Sequence, residues 1–523
     1  MADYDIIIIG GNTPALVAAS YLAKDAGCSV LIVERSDFIG GSAMTVEMKP
    51  GYKFHPAGTG EFYAHPKVVN DLNLRSYGLE EIPCNPTLTT SFGDGQYLRL
   101  YPDVEQTCQE IARYSEHDAE AYAQFIKEWG AVGQMFGMEQ MHEAPSMSQF
   151  VSAMSSSTEM ERMCRNMLFG TTTDILDNSF ENDYVKASFL TLNEGNTAGP
   201  HSGIFFFNLG RILHPWGFVK GGLANVARSL EAAATDLGVE IKRKAEVVEI
   251  LTKNGEAYGV KTADGDEITA KTAVISELEW GKTFFDLVKD EELPSDFTRG
   301  IKEIKYECGG VTLNVALDKL PDFGFPEDCY GGFFGITKPG YDYSEEAFAE
   351  YQCGRIPENM LSMNYIPSYY EEPGTFAPEG EHVLTGYAFP VTGQLKGGWN
   401  EERKQELLEK WINSLDAFAP GLKDSVIYAD GFTPQELEDH FGMTDGDLGH
   451  GTLRWYSEMG YRPVPGYSKY RVPIKNLYMA GQSTHPMSGV GGVAGYNVAQ
   501  AIIKDYGLGE GDSSDKSQYA KRW

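Results

Sequence analysis

The chain is poor in cysteine, with seven among 523 residues, at 28, 84, 108, 164, 308, 329 and 353. Their number is odd, their spacing is wide and no CxxC pair occurs. This argues against a disulfide framework and a cysteine zinc site; no metal is expected, and a reducing, cytoplasmic setting is favoured. Positive charge is scarce as well: 43 Lys and Arg face 75 Asp and Glu, a net charge of −32. Such a surface repels phosphate backbones, so no nucleic-acid partner is expected. It also speaks against a broad polybasic membrane face, and with a mean hydropathy of −0.32 nothing demands a membrane, although a peripheral apolar contact stays open. The opening Met1-Ala2-Asp3-Tyr4-Asp5 holds no basic segment, and the apolar run over 6–9 is too short for a signal peptide or a membrane span. Residues 476–503 carry no charge, but Pro486, five glycines, Gln482, His485 and Asn497 interrupt them, which reads as a loop entering a helix.

What is present is a globular composition, 42% hydrophobic and 12% aromatic. The chain is longer than one core usually holds, so two interleaved domains are expected. Residues 5–10 form a continuous apolar strand of the kind buried on both faces of a parallel sheet. A turn, Gly10-Gly11-Asn12-Thr13-Pro14-Ala15, leads into a helix over 15–26 with Gly27 as its cap, then a strand over 29–33 that ends at Glu34. This βαβ opening predicts a doubly wound sheet with its ligand at the carboxyl ends of the strands. Residues 104–130 read as helical, and 131–170 hold eight of the seventeen methionines at steps that suit helix faces. A Gly/Pro/aromatic loop covers 195–217 and a helix 222–237. A meander follows, with strands over 245–251 and 257–262 and turns at Asn254-Gly255 and Asp264-Gly265, then a strand over 272–276. A second block over 280–430 shows a strand at 310–317 and a helix at 400–418. Beyond an irregular run over 445–475 come a strand at 476–479, a helix at 495–504 and a polar tail. There is no internal repeat.

In a GxGxxG turn the glycines admit a tight bend and let a pyrophosphate approach the helix N-terminus. Here the three positions are Gly10, Asn12 and Ala15, so only the first is glycine, and an ordinary βα turn fits as well. Glu34, 24 residues after Gly10 and at the end of the second strand, is where a carboxylate accepts both ribose hydroxyls. Together they point to a bound ADP moiety. Asp37-Phe38-Ile39-Gly40-Gly41-Ser42 adds a second glycine pair just past the acid, which suits the longer flavin dinucleotide, FAD. Near the far end, Ala480-Gly481 follows a strand, and Ser488-Gly489-Val490-Gly491-Gly492 opens a helix whose amides can stabilise charge on a reduced ring.

On these residues the chain resembles the phytoene desaturase/carotenoid isomerase family of FAD-dependent oxidoreductases, within the group that includes amine oxidases. The stretches that carry the resemblance are FIGGSAMTVEMKPGYKFHPAG (38–58), WGFVKGGLANVARSLEAAATDLGVEI (216–241), the meander, and YRPVPGYSKYRVPIKNLYMAGQSTHPMSGVGGVAGYNVAQAI (461–502). It implies an α/β fold in which a Rossmann-like FAD domain (1–100, 215–290 and 445–505) is interleaved with an α+β substrate domain (101–214 and 291–444), followed by a flexible tail (506–523). It further implies that Gly10, Asn12, Thr13, Ala15, Glu34, Arg35, Gly40, Gly41 and Ser42 hold the adenosine and pyrophosphate. Val247 would meet adenine, Ala57, Gly58 and Thr59 would pass near the flavin ring, and Gly481, Ser488, Gly489 and Val490 would meet pyrophosphate or flavin. Where the family often has a glycine after the histidine-proline step, this chain has Met487.

The expected chemistry is hydride transfer to flavin from an apolar or amphipathic small molecule, as a dehydrogenase, desaturase or isomerase, with oxygen or a quinone as acceptor. A flavin-dependent amine or alcohol oxidase and a non-catalytic flavoprotein-fold module are the alternatives. Among titratable groups, His485 is ranked first for a catalytic role because it lies beside the flavin-facing helix start, with a loop-holding role as its alternative. His55, His201 and His214 rank below it, and His450, in a glycine turn, reads as structural. The methionine block and Phe205-Phe206-Phe207 with Trp216 fit either a substrate tunnel or packed core. The substrate, acceptor and oligomeric state are not encoded in any motif.

Overall fold

Four consecutive isoleucines cannot share one side of a strand, because side chains alternate. The computed structural model describes residues 3–58, 64–136, 141–191, 199–202, 217–289, 293–487 and 489–509, the side chains of 131–136, 456, 459 and 490 excepted. In it strand β1 (Tyr4–Ile9) sends Ile6 and Ile8 into one core and Ile7 and Ile9 into another, so both faces are buried. Helix α1 (Thr13–Ala26) begins where the Asn12 side chain accepts the Ala15 N–H at 3.2 Å. It ends where Gly27 turns left-handed at φ 65° and its N–H returns to the Ala23 carbonyl. Strand β2 (Val30–Val33) then lies parallel to β1.

Five strands form the parallel sheet, in the order Leu477–Met479, Glu267–Ser276, β1, β2 and Glu240–Lys242. The strand Glu267–Ser276 serves two sheets. Its first residues pair antiparallel with Glu256–Thr262, which pairs with Val247–Lys253; its last residues pair with β1 and Leu477–Met479. It therefore starts earlier than the apolar pattern at 272–276 indicates, because Glu267 and Lys271 interrupt the hydrophobic run. Asn254 and Gly255 both have positive φ, 54° and 77°, as an Asn-Gly hairpin turn requires.

A second sheet has seven strands, ordered Val426–Gly431, Val311–Leu317, His382–Phe389, Leu361–Tyr365, Phe333–Ile336, Leu88–Ser91 and Tyr97–Leu100. Of these strands only Val311–Leu317 is legible in the sequence pattern. Leu88–Ser91 and Tyr97–Leu100 belong to this sheet. Helices Glu116–Phe136 and Thr158–Phe169 pack beside it, with Met163 and Met167 buried among Phe125, Trp129 and Phe189. Those two methionines are core; Met138 lies outside the described residues. The strand Gly217–Val219 pairs with Glu81–Pro83, and Phe218 stacks on Tyr370 at 4.2 Å between ring centroids. None of the seven cysteines, all of them described residues, is joined in a disulfide. The helix Val493–Tyr506 crosses α1 so closely that a Cβ on Gly495 would sit 2.0 Å from the Pro14 carbonyl oxygen.

Candidate functional site

The carboxyl ends of the parallel strands carry a set of turns that converge. Gly10, at φ 92°, follows β1, and a Cβ there would lie 3.3 Å from the Cβ of Glu277. Glu277 follows Glu267–Ser276, its N–H bonded to the Ile9 carbonyl. Gly481, at φ 86°, follows Leu477–Met479, and a Cβ there would stand 2.8 Å from a Glu277 carboxyl oxygen. Residues far apart in sequence thus form one wall, at the place where an open α/β sheet takes its ligand.

Glu34, at the end of β2, accepts the Gly11 N–H and the Ser36 N–H, each at 2.7 Å. The second glycine pair joins the first turn: the Gly40 N–H donates to the Gly11 carbonyl at 2.8 Å, and a Cβ on Gly41 would lie 3.2 Å from that of Asn12. Ser42 abuts Gly58, whose Cβ would be 3.2 Å from the Ser42 carbonyl oxygen. The Val247 strand arrives beside the acid, since the Ala245 N–H donates to the Glu34 carbonyl at 2.9 Å. Arg35 turns away, its guanidinium donating to the His440 carbonyl at 2.7 Å. Thr13 and Ala15 are buried in the first turn of α1, which has no acidic residue. The Gly489 N–H donates to the Gln482 side chain. Thr59 and Ser488 lie outside the described residues, as does the side chain of Val490.

Asn12 has a defined role. Its side chain bends onto Ala15 as the helix cap and leaves the turn intact, although the motif position ordinarily needs glycine. Met487 likewise takes a left-handed backbone, φ 58°.

The histidines divide by environment. His55 is buried; its Nε2 accepts the Leu223 N–H, so Nδ1 carries the proton and donates to the Tyr365 hydroxyl at 2.6 Å. Burial holds it neutral, with a pKa pushed down to about 3. His485 is also buried, on the turn after Gly481, its carbonyl accepting the Tyr470 hydroxyl and its Nε2 without a partner. Burial, then the nearby His142 and Arg462, push it down to about 3, which keeps it neutral at physiological pH with one ring N–H. His201 is exposed and pairs with Glu345 at 2.8 Å, apart from the crevice turns. His450 is 3.4 Å from the buried Glu279, whose carboxylate bonds the Thr444 N–H. His214, Phe205, Phe206 and Phe207 and Trp216 lie outside the described residues. Glu277 is a site residue that no sequence motif marks. Its one signal is an acid directly after the apolar run Ala273-Val274-Ile275 and Ser276, close to the placement of Glu34 after β2.

The model for flavin containing amine oxidoreductases matches residues 16–315, more than half of the chain. The chain belongs to that family. It is an FAD-dependent oxidoreductase. It is 28% identical to the pyridine nucleotide-disulfide oxidoreductase domain-containing protein 2 of Rattus norvegicus, covering 96% of this chain and 94% of that one. It is 26% identical to the chloroplastic prolycopene isomerase 2 of an Oncidium hybrid cultivar, covering 97% of this chain and 85% of that one. Cyclohexylamine oxidase from Brevibacterium oxydans IH-35A shares the fold with a TM-score of 0.58 at 18% identity, over 97% of this chain and 100% of that one. The phytoene desaturase and carotenoid isomerase resemblance and the amine oxidase type of fold both stand. No helix among the described residues is long and apolar enough to cross a membrane.

The residues present fit FAD. An acid ends β2, glycines line each turn, and Glu277 brings two unpartnered buried oxygens to the point where three strand ends meet.

Proposed function

We propose that the crevice bounded by Gly10, Asn12, Glu34, Gly40, Gly41, Glu277 and Gly481 holds FAD, and that the protein oxidises or isomerises an apolar or amphipathic small molecule presented from the seven-stranded sheet. The observation that carries this is the meeting of the Gly10, Gly40 and Gly481 turns around the ends of the parallel strands. In this reading Glu34 exchanges its amide partners for, or shares them with, the ribose hydroxyls. The α1 N-terminus, free of acidic side chains in its first turn, faces the pyrophosphate. Bound there, FAD supplies a two-electron acceptor for a C–H hydride. The chain's own part is to orient, exclude water and hold protons. His55 locks Tyr365 and the Leu223 amide across the domain junction. His485 acts as a neutral group behind the Gly481 turn.

An apolar substrate is supported by the relative named for prolycopene and by the aromatic junction of Phe218, Phe333, Tyr365 and Tyr370. Met147, Val151 and Phe169 stand exposed on two consecutive helices of the second domain and offer an apolar edge for peripheral contact with a lipid surface. We place the protein in the cytoplasm, with oxygen or a quinone as acceptor. The test is anaerobic bleaching of the flavin band near ~450 nm against carotenoids, fatty acids, amines and alcohols. Bleaching by an apolar alkene supports the reading, whereas bleaching by amines or alcohols alone overturns it.

A further inference from the structure

Glu277 is almost wholly withdrawn from solvent, with 3% of its surface exposed, and neither carboxyl oxygen has a hydrogen-bond partner. Such a group is costly: a buried polar side chain left unpaired loses its hydration with nothing in return. Its surroundings are those of the cofactor crevice. The Gly10 turn is on one side, the Gly481 turn on another, and the Asn12 side chain faces it. A side chain at Gly481 would collide with the carboxyl, so glycine there leaves it room.

An ionised carboxylate at that place would repel a pyrophosphate, whereas a protonated one is a hydrogen-bond donor. Burial pushes the Glu277 carboxyl up to about 8, opposed only by the Asn12 amide. No charged side chain contributes. Glu34 is engaged by the Gly11 and Ser36 amides, and Glu279, two residues on, by Thr444. On the Gly481 turn His485 is neutral, and Arg462 is directed to the Gln482 carbonyl and to Glu458. The proton therefore stays on at neutral pH.

We propose that Glu277, carrying its proton, donates a hydrogen bond to the FAD pyrophosphate and makes cofactor retention dependent on pH. This rests on the FAD assignment above, and it adds a residue that no glycine motif contains. Its consequence is a site that binds FAD in acid to neutral solution and releases it in mild alkali, when the carboxylate forms beside the phosphates.

The test is reconstitution of the stripped full-length protein with FAD, followed by flavin fluorescence from pH 6 to 9, with circular dichroism at each pH to show that the protein stays folded. The wild type should weaken by about tenfold per pH unit above about pH 8, the linkage of one proton. Glu277→Gln keeps a donor that cannot ionise, so its affinity should stay flat over the same range. Glu277→Asp, in which the carboxyl is drawn back from the phosphates, should bind more weakly already at pH 6. A wild-type affinity that is constant to pH 9, or a Glu277→Gln protein with the wild-type pH profile, overturns the proposal. A wild type that binds no FAD even at pH 6 overturns the cofactor site itself, a different failure with a different signature.

Discussion

Asn12 stands where a dinucleotide turn ordinarily has its second glycine, and the helix takes the side chain as a cap. Replacing it with alanine removes the acceptor for the Ala15 N–H and should lower stability by about 1 kcal/mol, while glycine should cost only a few tenths, as read by thermal melts of the two variants. Asn12→Gly should retain FAD fully, and loss of flavin from that variant would show the side chain itself to be a ligand. Glu34 was legible from sequence because β2 is short and wholly apolar and stops at the acid, at the interval from Gly10 that a ribose-binding carboxylate needs. Glu277 was not, because its strand begins with alternating polar residues and looks like a meander edge until the parallel pairing with β1 is seen. Glu34→Ala should weaken FAD binding by ~1.5–3 kcal/mol in titrations of stripped protein, since the ribose hydroxyls lose a charged acceptor. Unchanged flavin affinity would remove the ribose from this position.

Elements were legible in proportion to how regularly they repeat. The βαβ opening, the hairpin at Asn254-Gly255 and the helices Ala224–Asp236 and Glu401–Phe418 all declare themselves by period, cap or turn. The seven-stranded sheet does not. Leu88–Ser91 and Leu361–Tyr365 are buried on both faces yet contain Thr89, Thr90, Ser362 and Asn364, so they show neither alternation nor an apolar run. Some of these polar groups bond within the sheet, as Asn364 does to the Phe334 carbonyl. Packing of elements also fixes the cofactor wall. Gly495→Ala would press a methyl group against the Pro14 carbonyl and push the helix Val493–Tyr506 off α1. A loss of ~1–3 kcal/mol is expected from such overpacking, together with lower flavin content in the purified protein. A variant as stable and as yellow as the parent would show that the two helices can part freely.

Across the whole molecule, buried titratable groups set a pH window for the apoprotein. Glu277, Asp447, Glu458 and Glu279, raised by burial to about 8, 7, 7 and 6, stay protonated when folded where the unfolded chain has already ionised. Their contribution is intact below about pH 4 and is lost as pH rises through those values. His55, His450 and His485, lowered by burial to about 3, 4 and 3, act in the opposite sense; their contribution is intact above about pH 6.5 and is lost as pH falls toward 4 and below. Four carboxyls outweigh three histidines between roughly pH 4.5 and 6.5, so the melting temperature should already decline gently across that window and fall further, by on the order of 2 kcal/mol in stability, from pH 6.5 to 8, with a separate loss below about pH 4 as the histidines charge. A melting temperature that climbs steadily to pH 8 would contradict the burial of these carboxyls. The same sheet that buries them has a consequence for biogenesis. Its order sets Leu477–Met479 beside a strand that touches β1, and the helix Val493–Tyr506 closes over α1. A ribosome must therefore release nearly five hundred residues before the groove has its last wall, and until then the first βαβ unit waits on the nascent chain without the strand and helix that cover it.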